Sequence, residues 1–245
     1  MNEPTKTPIK LLVHGASGRM GQALLRLAAE RADLNVAAAY SRSSPAQRVI
    51  DGVPHFATAE LSGAPEFDVA IDFSLPQGFD PVLALCAQRG KALVSGTTGL
   101  SSVQNTAIND AASRIAVVWA ANYSLGVAVL TELVRRAAAA LPGWDCDVIE
   151  AHHTRKLDAP SGTALHLGAA AAIGRGEEPH YASLRAGDIV GEHTVQFASA
   201  GERLELIHRA TNRDIFARGA LEAALRVAHQ EPGRYGLAEL MFPNL

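Results

Sequence analysis

The sequence predicts an α/β chain: a doubly wound parallel sheet in its first half and an α+β half after it. Three observations carry this. Short apolar runs alternate with helical patterns as far as Trp119. The first run enters the first helix through a glycine-rich turn, residues 15–21. Beyond Asn122 the alternation gives way to alanine-rich helices and apolar runs joined by single glycines. Strands alternating with helices pair in parallel, whereas strands joined by short glycine turns suit antiparallel pairing.

The elements follow in order. Residues 1–9 are polar and proline-punctuated, which predicts a frayed start. Residues 9–13 read as a buried strand, 22–31 as a helix through Leu24, Leu25, Leu27 and Ala28, and 34–40 as a second strand. Residues 69–73 are a strand, 81–88 a helix stopped by Gly90, and 92–95 a strand. A helix is expected over 102–113 and a strand over 115–119. In the second half, 127–141 is a helix ended by Pro142-Gly143, and 146–150 a strand. After a polar segment, 164–173 is a helix ended by Gly174. Residues 181–185, 193–199 and 203–209 read as antiparallel strands. A helix over 215–229 and a short segment over 236–241 close the chain.

Composition narrows the function. The chain has 245 residues, 48% of them hydrophobic, enough for one large domain or two modest ones. The 22 Lys+Arg against 25 Asp+Glu leave a net charge of −3, which argues against a strongly basic nucleic-acid binder. The two cysteines, Cys86 and Cys146, are far apart and read as free thiols of a reducing compartment. No apolar run reaches the ~18 residues of a membrane span, and the first residues lack the apolar stretch of a signal peptide. A soluble, cytoplasmic protein is expected.

The chemistry begins at Gly15-Ala16-Ser17-Gly18-Arg19-Met20-Gly21. A glycine turn between a strand and a helix lets backbone approach a pyrophosphate and aims helix N–H groups at it. The spacing is G-x-x-G-x-x-G, and a plain tight turn is the competing reading. The second strand ends in Tyr40-Ser41-Arg42-Ser43-Ser44, without the Asp or Glu that would accept from ribose hydroxyls. Ser41 and Arg42 suit a 2′-phosphate instead, so NADPH is favoured over NADH. Gly96-Thr97-Thr98-Gly99 follows a later strand and could face the nicotinamide carboxamide; Phe73, Ser74, Asn122 and Tyr123 share that rim.

Residues 150–164, Glu-Ala-His-His-Thr-Arg-Lys-Leu-Asp-Ala-Pro-Ser-Gly-Thr-Ala, are the most informative stretch. Histidine is the usual proton donor near neutral pH. The chain keeps four lysines against eighteen arginines, and a lysine here suits proton donation that arginine cannot perform. Pro160-Ser161-Gly162-Thr163 then opens a helix, whose start favours anions. Cationic side chains beside a helix start suit a small, multiply charged carboxylate. No metal-type spacing accompanies the two histidines, so no metal is expected. A solvated loop before a capped helix is the bland alternative. The stretch 184–193 reads as a charged loop that could close a substrate site or support subunit contacts.

These residues resemble the 4-hydroxy-tetrahydrodipicolinate reductase (dihydrodipicolinate reductase) family, in the motifs at 15–21, 96–99, 120–127, 150–164 and 185–193, over nearly the whole chain. The resemblance implies a Rossmann domain over 1–124 with 212–245, and an α+β substrate-binding and oligomerisation domain over 125–211. It implies NAD(P)H-dependent reduction of a cyclic dicarboxylate to tetrahydrodipicolinate in lysine/diaminopimelate synthesis, by a homotetramer. Carried over by motif, His152 is the proton donor/acceptor and Lys156 a proton donor. His153, Gly162 and Thr163 bind substrate carboxylate. Gly15, Ala16, Ser17, Gly18, Arg19 and Met20, with Gly96, Thr97 and Thr98 and with Ala120, Ala121, Asn122 and Tyr123, hold the cofactor. Many members carry an acid where this chain has Ser41, some carry an arginine in the 73–76 turn, and Phe is frequent where Tyr123 stands. Two other readings compete: another NADP-linked imine or carbonyl reductase of the same plan, such as an amino-acid dehydrogenase, and a dinucleotide sensor without catalysis.

Overall fold

A strand covered on both faces needs an unbroken apolar run, and the first strand has one: Leu11, Leu12 and Val13 are fully buried. In the computed structural model, residues 7–43 and 45–243 are described. Residues 1–6, where most of the frayed start was expected, and Ser44 of the turn after the second strand lie outside them. The chain forms β1 (Ile9–His14), α1 (Arg19–Ala29), β2 (Leu34–Ser41), β3 (Val49–Ile50), β4 (Val53–Ala57), a 3-10 turn (Thr58–Gly63), β5 (Val69–Asp72), α2 (Pro76–Arg89), β6 (Ala92–Ser95), α3 (Ser102–Ala112) and β7 (Ala116–Trp119). Then come α4 (Leu125–Ala140), β8 (Asp145–His152), α5 (Gly162–Arg175), β9 (His180–Arg185), β10 (Gly191–Ser199), β11 (Glu202–Ala210), α6 (Asp214–Val227), β12 (Gly233–Tyr235) and α7 (Leu237–Met241). They group into two compact units: residues 7–123 with 216–243, and residues 124–215.

The first unit holds an eight-stranded sheet ordered β12-β7-β6-β5-β1-β2-β4-β3. Every pair is parallel except β3 with β4. The chain winds outward from β1 to β2 and β4, then returns to lay β5 on β1's other side. The carboxyl ends of β1 and β5 therefore flank the switch point where such sheets bind ligands. Helix α1 buries Leu24, Leu27 and Ala28, the stripe expected of an amphipathic helix. Helix α2 starts at Pro76, not at residue 81: Pro76 takes the first turn, and Pro81 lies inside the helix. Burial of Phe79, Val82, Leu83, Leu85 and Cys86 outweighs the missing N–H.

The second unit holds a four-stranded sheet ordered β11-β10-β8-β9. Strands β10 and β11 form the expected antiparallel hairpin, and β10 pairs antiparallel with β8. The expectation for β9 fails. It lies on the outer side of β8, in parallel, because α5 supplies the crossover that parallel pairing needs. Val148, Val195 and Phe197 pack with Leu130 and Val134 of α4 and Leu167 of α5. Helix α5 runs past the expected stop at Gly174 to a left-handed cap at Gly176. Gly174 is instead a point of close approach: a Cβ there would lie 2.5 Å from the carbonyl oxygen of Arg135.

The glycine turn is tightest at Gly21, where a Cβ would meet the Gly15 carbonyl oxygen at 2.3 Å, whereas one at Gly63 would meet nothing. Gly21→Ala is expected to cost at least about 1–3 kcal/mol, read from denaturant midpoints, with Gly63→Ala within about 0.5 kcal/mol of the parent. Equal stabilities would refute this reading of the turn.

Candidate active site

In the first unit, the N–H groups of Gly15 and Ala16 both donate to the Tyr40 carbonyl at 2.9 Å, and Gly18 N–H donates to Gly15. These bonds shape the turn. Arg19 and Met20 open α1, ahead of the bond from Gln22 N–H to Gly18, so their amides face outward at the helix start. Ser41 is buried, and its hydroxyl accepts the Ser17 N–H at 3.1 Å. Arg42 is exposed. A cavity of about 640 Å³ brings together Gly15, Ser17, Gly18, Arg42 and Ser43 with Phe73 and Ser74. A second, of about 830 Å³, shares Ser17, Arg42 and Ser43 and adds Ser41 and Ala16.

The other rim residues do not line either cavity. Thr97 is buried and donates its hydroxyl to Asp72 at 2.7 Å. Tyr123 is buried, and its hydroxyl donates to the Ser95 carbonyl at 2.8 Å. Its ring meets Phe73 edge-on at 5.5 Å. A Cβ at Gly96 would lie 2.1 Å from the Phe73 ring, so only glycine fits there. Gly96 and Ala120 are half-buried, as is Asn122, whereas Thr98 and Ala121 are exposed.

Sequence reasoning missed the group that ties this rim together. Asp72, fully buried at the end of β5, accepts from Ser95 Oγ at 2.9 Å, Thr97 Oγ1 at 2.7 Å and Ser74 N–H at 3.2 Å. His14 Nδ1 lies 2.8 Å from the same carboxylate, and His14 Nε2 lies 3.0 Å from the Thr58 hydroxyl. Burial opposes ionisation of Asp72, yet hydrogen bonds from His14, Thr97 and Ser74 outweigh it and hold the carboxyl below its ordinary value.

In the second unit, alternation along β8 turns Cys146, Val148, Glu150 and His152 toward the helices. The apolar end of that row is core; the other end is polar. Glu150 is 1% exposed. Arg185 grips it with both terminal nitrogens, at 2.9 and 2.8 Å. Ser161 N–H donates to it at 3.3 Å, and His152 Nδ1 lies 2.5 Å away. Burial pushes the Glu150 carboxyl up, but hydrogen bonds from Arg185, Ser183 and His152 prevail and bring it to about 2.

Ser161 caps α5 by accepting Ala164 N–H at 3.1 Å, and its hydroxyl meets His193 Nε2 at 3.1 Å. Burial, then the neighbouring His152 charge, lowers His193 to about 4. Gly162 and Thr163 open α5, and their amides precede the bond from Leu165 N–H to Ser161. His153 accepts from Arg213 at 3.2 Å; desolvation and the charges of Arg155 and Arg213 lower its pKa. Lys156 pairs with Asp158 at 2.9 Å. The five predicted residues of this segment, His152, His153, Lys156, Gly162 and Thr163, thus occupy one strand end, the loop after it and the next helix start. No cluster of three metal-ligating side chains occurs among the described residues.

The comparisons match both units. The family model described as "Dihydrodipicolinate reductase, N-terminus" matches residues 9–123, and that for its C-terminus matches residues 126–241. A 4-hydroxy-tetrahydrodipicolinate reductase of Stenotrophomonas maltophilia (strain K279a) is 69% identical over 237 residues, 96% of this chain and 99% of that one. The chain belongs to the dihydrodipicolinate reductase family. It is accordingly an oxidoreductase of a family that works with a nicotinamide dinucleotide. A reductase of the same name from Xylella fastidiosa (strain 9a5c) is 60% identical over 233 residues, 95% of this chain and 98% of that one. Among solved structures, a dipicolinate-bound dihydrodipicolinate reductase from Paenisporosarcina sp. TG-14 shares the fold, with a TM-score of 0.82 at 23% identity, over 95% of this chain and 99% of that one. Diaminopimelate dehydrogenase of Corynebacterium glutamicum shares it more loosely, with a TM-score of 0.58 at 14% identity, over 98% and 97%.

His193 makes stability pH-dependent. Its folded pKa lies below the ordinary 6.5, near 4, so the unfolded chain binds the proton more readily. Its contribution is complete above pH 6.5 and is lost as pH falls through 4, a loss of about 3 kcal/mol. Urea midpoints at pH 7 and pH 4 should show this slope in the parent and a flatter one in His193→Gln. An unchanged slope would contradict the assignment.

Proposed function

We propose that the chain reduces 4-hydroxy-tetrahydrodipicolinate to tetrahydrodipicolinate with NAD(P)H, in lysine/diaminopimelate synthesis. The observation that carries this reading is the 69% identity, over 96% of the chain, to a reductase of that name. The residues of the 150–164 segment supply matching chemistry. A bound dinucleotide would supply hydride to a ring carbon conjugated with the imine and be oxidised in doing so. The neighbouring carbon would take one proton from the chain, and the 4-hydroxy compound would also lose one water.

Residues of the first unit hold the dinucleotide. The Arg19 and Met20 amides take the pyrophosphate, and the turn from Gly15 to Gly18, its own amides bonded within the fold, lets the backbone approach it. Arg42 takes the 2′-phosphate of NADPH, with Ser41 holding the turn through Ser17. The cofactor supplies only hydride; the chain's own groups position and protonate. His153, bonded to Arg213, and the helix start at Gly162 and Thr163 hold the carboxylates. Lys156 and His152 stand as the proton donors, and such positioning is worth up to ~7–11 kcal/mol. Amino-acid dehydrogenases of this plan share the fold at 14% identity, which does not carry their chemistry across.

We further propose a cytoplasmic homotetramer built on the sheet of the second unit. Leu184 and Ile207, 58% and 42% exposed, lie on the sheet face opposite its helices. No described helix is long and apolar enough to cross a membrane. Light scattering should return four times the chain mass; a monomer would contradict the assembly.

His152→Ala and Lys156→Ala should each lower kcat by about 10²–10⁴-fold, with dinucleotide affinity nearly unchanged. Arg42→Ala should narrow the ratio of kcat/KM for NADPH over NADH. Full turnover in both first variants would sink the catalytic assignment, and a parent that prefers NADH would sink the cofactor assignment.

A further inference from the structure

We infer that Glu150 is a positioning residue: it fixes His152 in the tautomer with the proton on Nδ1, so that proton delivery runs through Nε2. This deepens the reading above and rests on it. Glu150 precedes His152 by two residues on one strand, so both side chains leave the same face of β8. The carboxylate lies 2.5 Å from Nδ1. Arg185 holds both carboxylate oxygens and Ser161 N–H holds one of them. With those donors in place the carboxylate is an acceptor only, so the nitrogen facing it carries a proton in either charge state of the ring. Nε2 is then the atom that gains and loses one.

Two neighbours keep that nitrogen in use. A Cβ at Gly191 would lie 3.0 Å from His152 Nε2, so glycine at this strand start leaves its approach uncovered. Arg185 also donates to the Asp158 carbonyl at 2.6 Å. One guanidinium thereby anchors both the acid behind His152 and the loop that carries Lys156. In the transfer, the Nε2–H bond breaks and a C–H bond forms at the ring carbon beside the one receiving hydride. The imidazole ends neutral, its Nδ1–H still donating to Glu150, and Nε2 takes its next proton from water.

Other charged groups face the pair from every side and must be held constant in a test. Arg185 comes from β9 and His193 from β10, its ring edge-on to His152 at 5.2 Å, with His208 of β11 paired beside His193; Lys156 and His153 belong to the loop. Burial holds the His193 pKa down to about 4, so that ring stays uncharged at neutral pH.

The test uses the full chain with ¹⁵N-histidine, read by long-range proton–nitrogen spectra assigned through His152→Ala. Steady-state turnover is measured for the parent, Glu150→Gln, His152→Ala and the double variant. His152 of the parent should carry hydrogen on Nδ1 at the basic end of its titration. Glu150→Gln should mix the tautomers, lower kcat at least tenfold and move the basic limb of the pH–rate profile to lower pH. KM for the dinucleotide should hold. The double variant should be no slower than His152→Ala alone, because Glu150 acts through that ring. A parent ring protonated on Nε2 alone would overturn the inference, and this needs no variant to fold. So would a Glu150→Gln chain with parental kcat, or a double variant slowed by the product of the single effects. Full turnover in His152→Ala would instead remove the catalytic reading, while the tautomer spectrum would still judge the positioning.

Discussion

A carboxylate withdrawn from water is tolerated only where donors surround it. Glu150 meets that condition at a cost of conformational freedom for three separate pieces of chain. Arg185 comes from β9, Ser161 from the start of α5, Ser183 from the same strand as Arg185, and His152 from its own strand. Once those groups converge, the end of β8, the loop after it and the start of α5 have no freedom to separate. The polar end of the second unit is tied together by its buried charge.

Asp72 repeats the solution in the first unit. Its donors come from β6, from the turn after β5 and from the 96–99 stretch, with His14 at the end of β1. Each sheet thus ends in one buried acid that joins neighbouring loops. The apolar rows of the strands stop where these acids begin: Val69, Ala70 and Ile71 precede Asp72, and Val148 precedes Glu150. The strands' apolar residues supply the burial, and the acids at their ends convert it into fixed positions.

The doubly wound half was legible because strands covered on both faces leave unbroken apolar runs, as at Leu11–Val13 and Val69–Ile71. Strand β3, two residues long, and β4, only half-buried along most of its length, leave no such run and were not read. Local signals misled at Pro81 and Gly174, where burial of one helix face and close helix packing override the usual meaning of proline and glycine. The parallel course of β9 depends on α5 packing across the sheet, which no local pattern encodes. The polar segment at 150–164 was legible as chemistry, and Glu150 was visible as the residue two before His152. Its grip by Arg185 was not, because 35 residues separate them. His14 and Asp72, 58 residues apart, left no joint mark on the sequence. Motifs also fix position without direction: Thr97 and Tyr123 stand on the predicted rim, with their hydroxyls turned into the fold.

The most direct measurement is a crystal structure of the chain with oxidised NADP and pyridine-2,6-dicarboxylate. It should place one carboxylate at the Gly162 and Thr163 amides, with Lys156 and His153 at the ligand. His152 Nε2 should point at the ring, which should stack within reach of the nicotinamide. A dicarboxylate bound elsewhere, or His152 turned from it with Nδ1 off Glu150, would contradict the account.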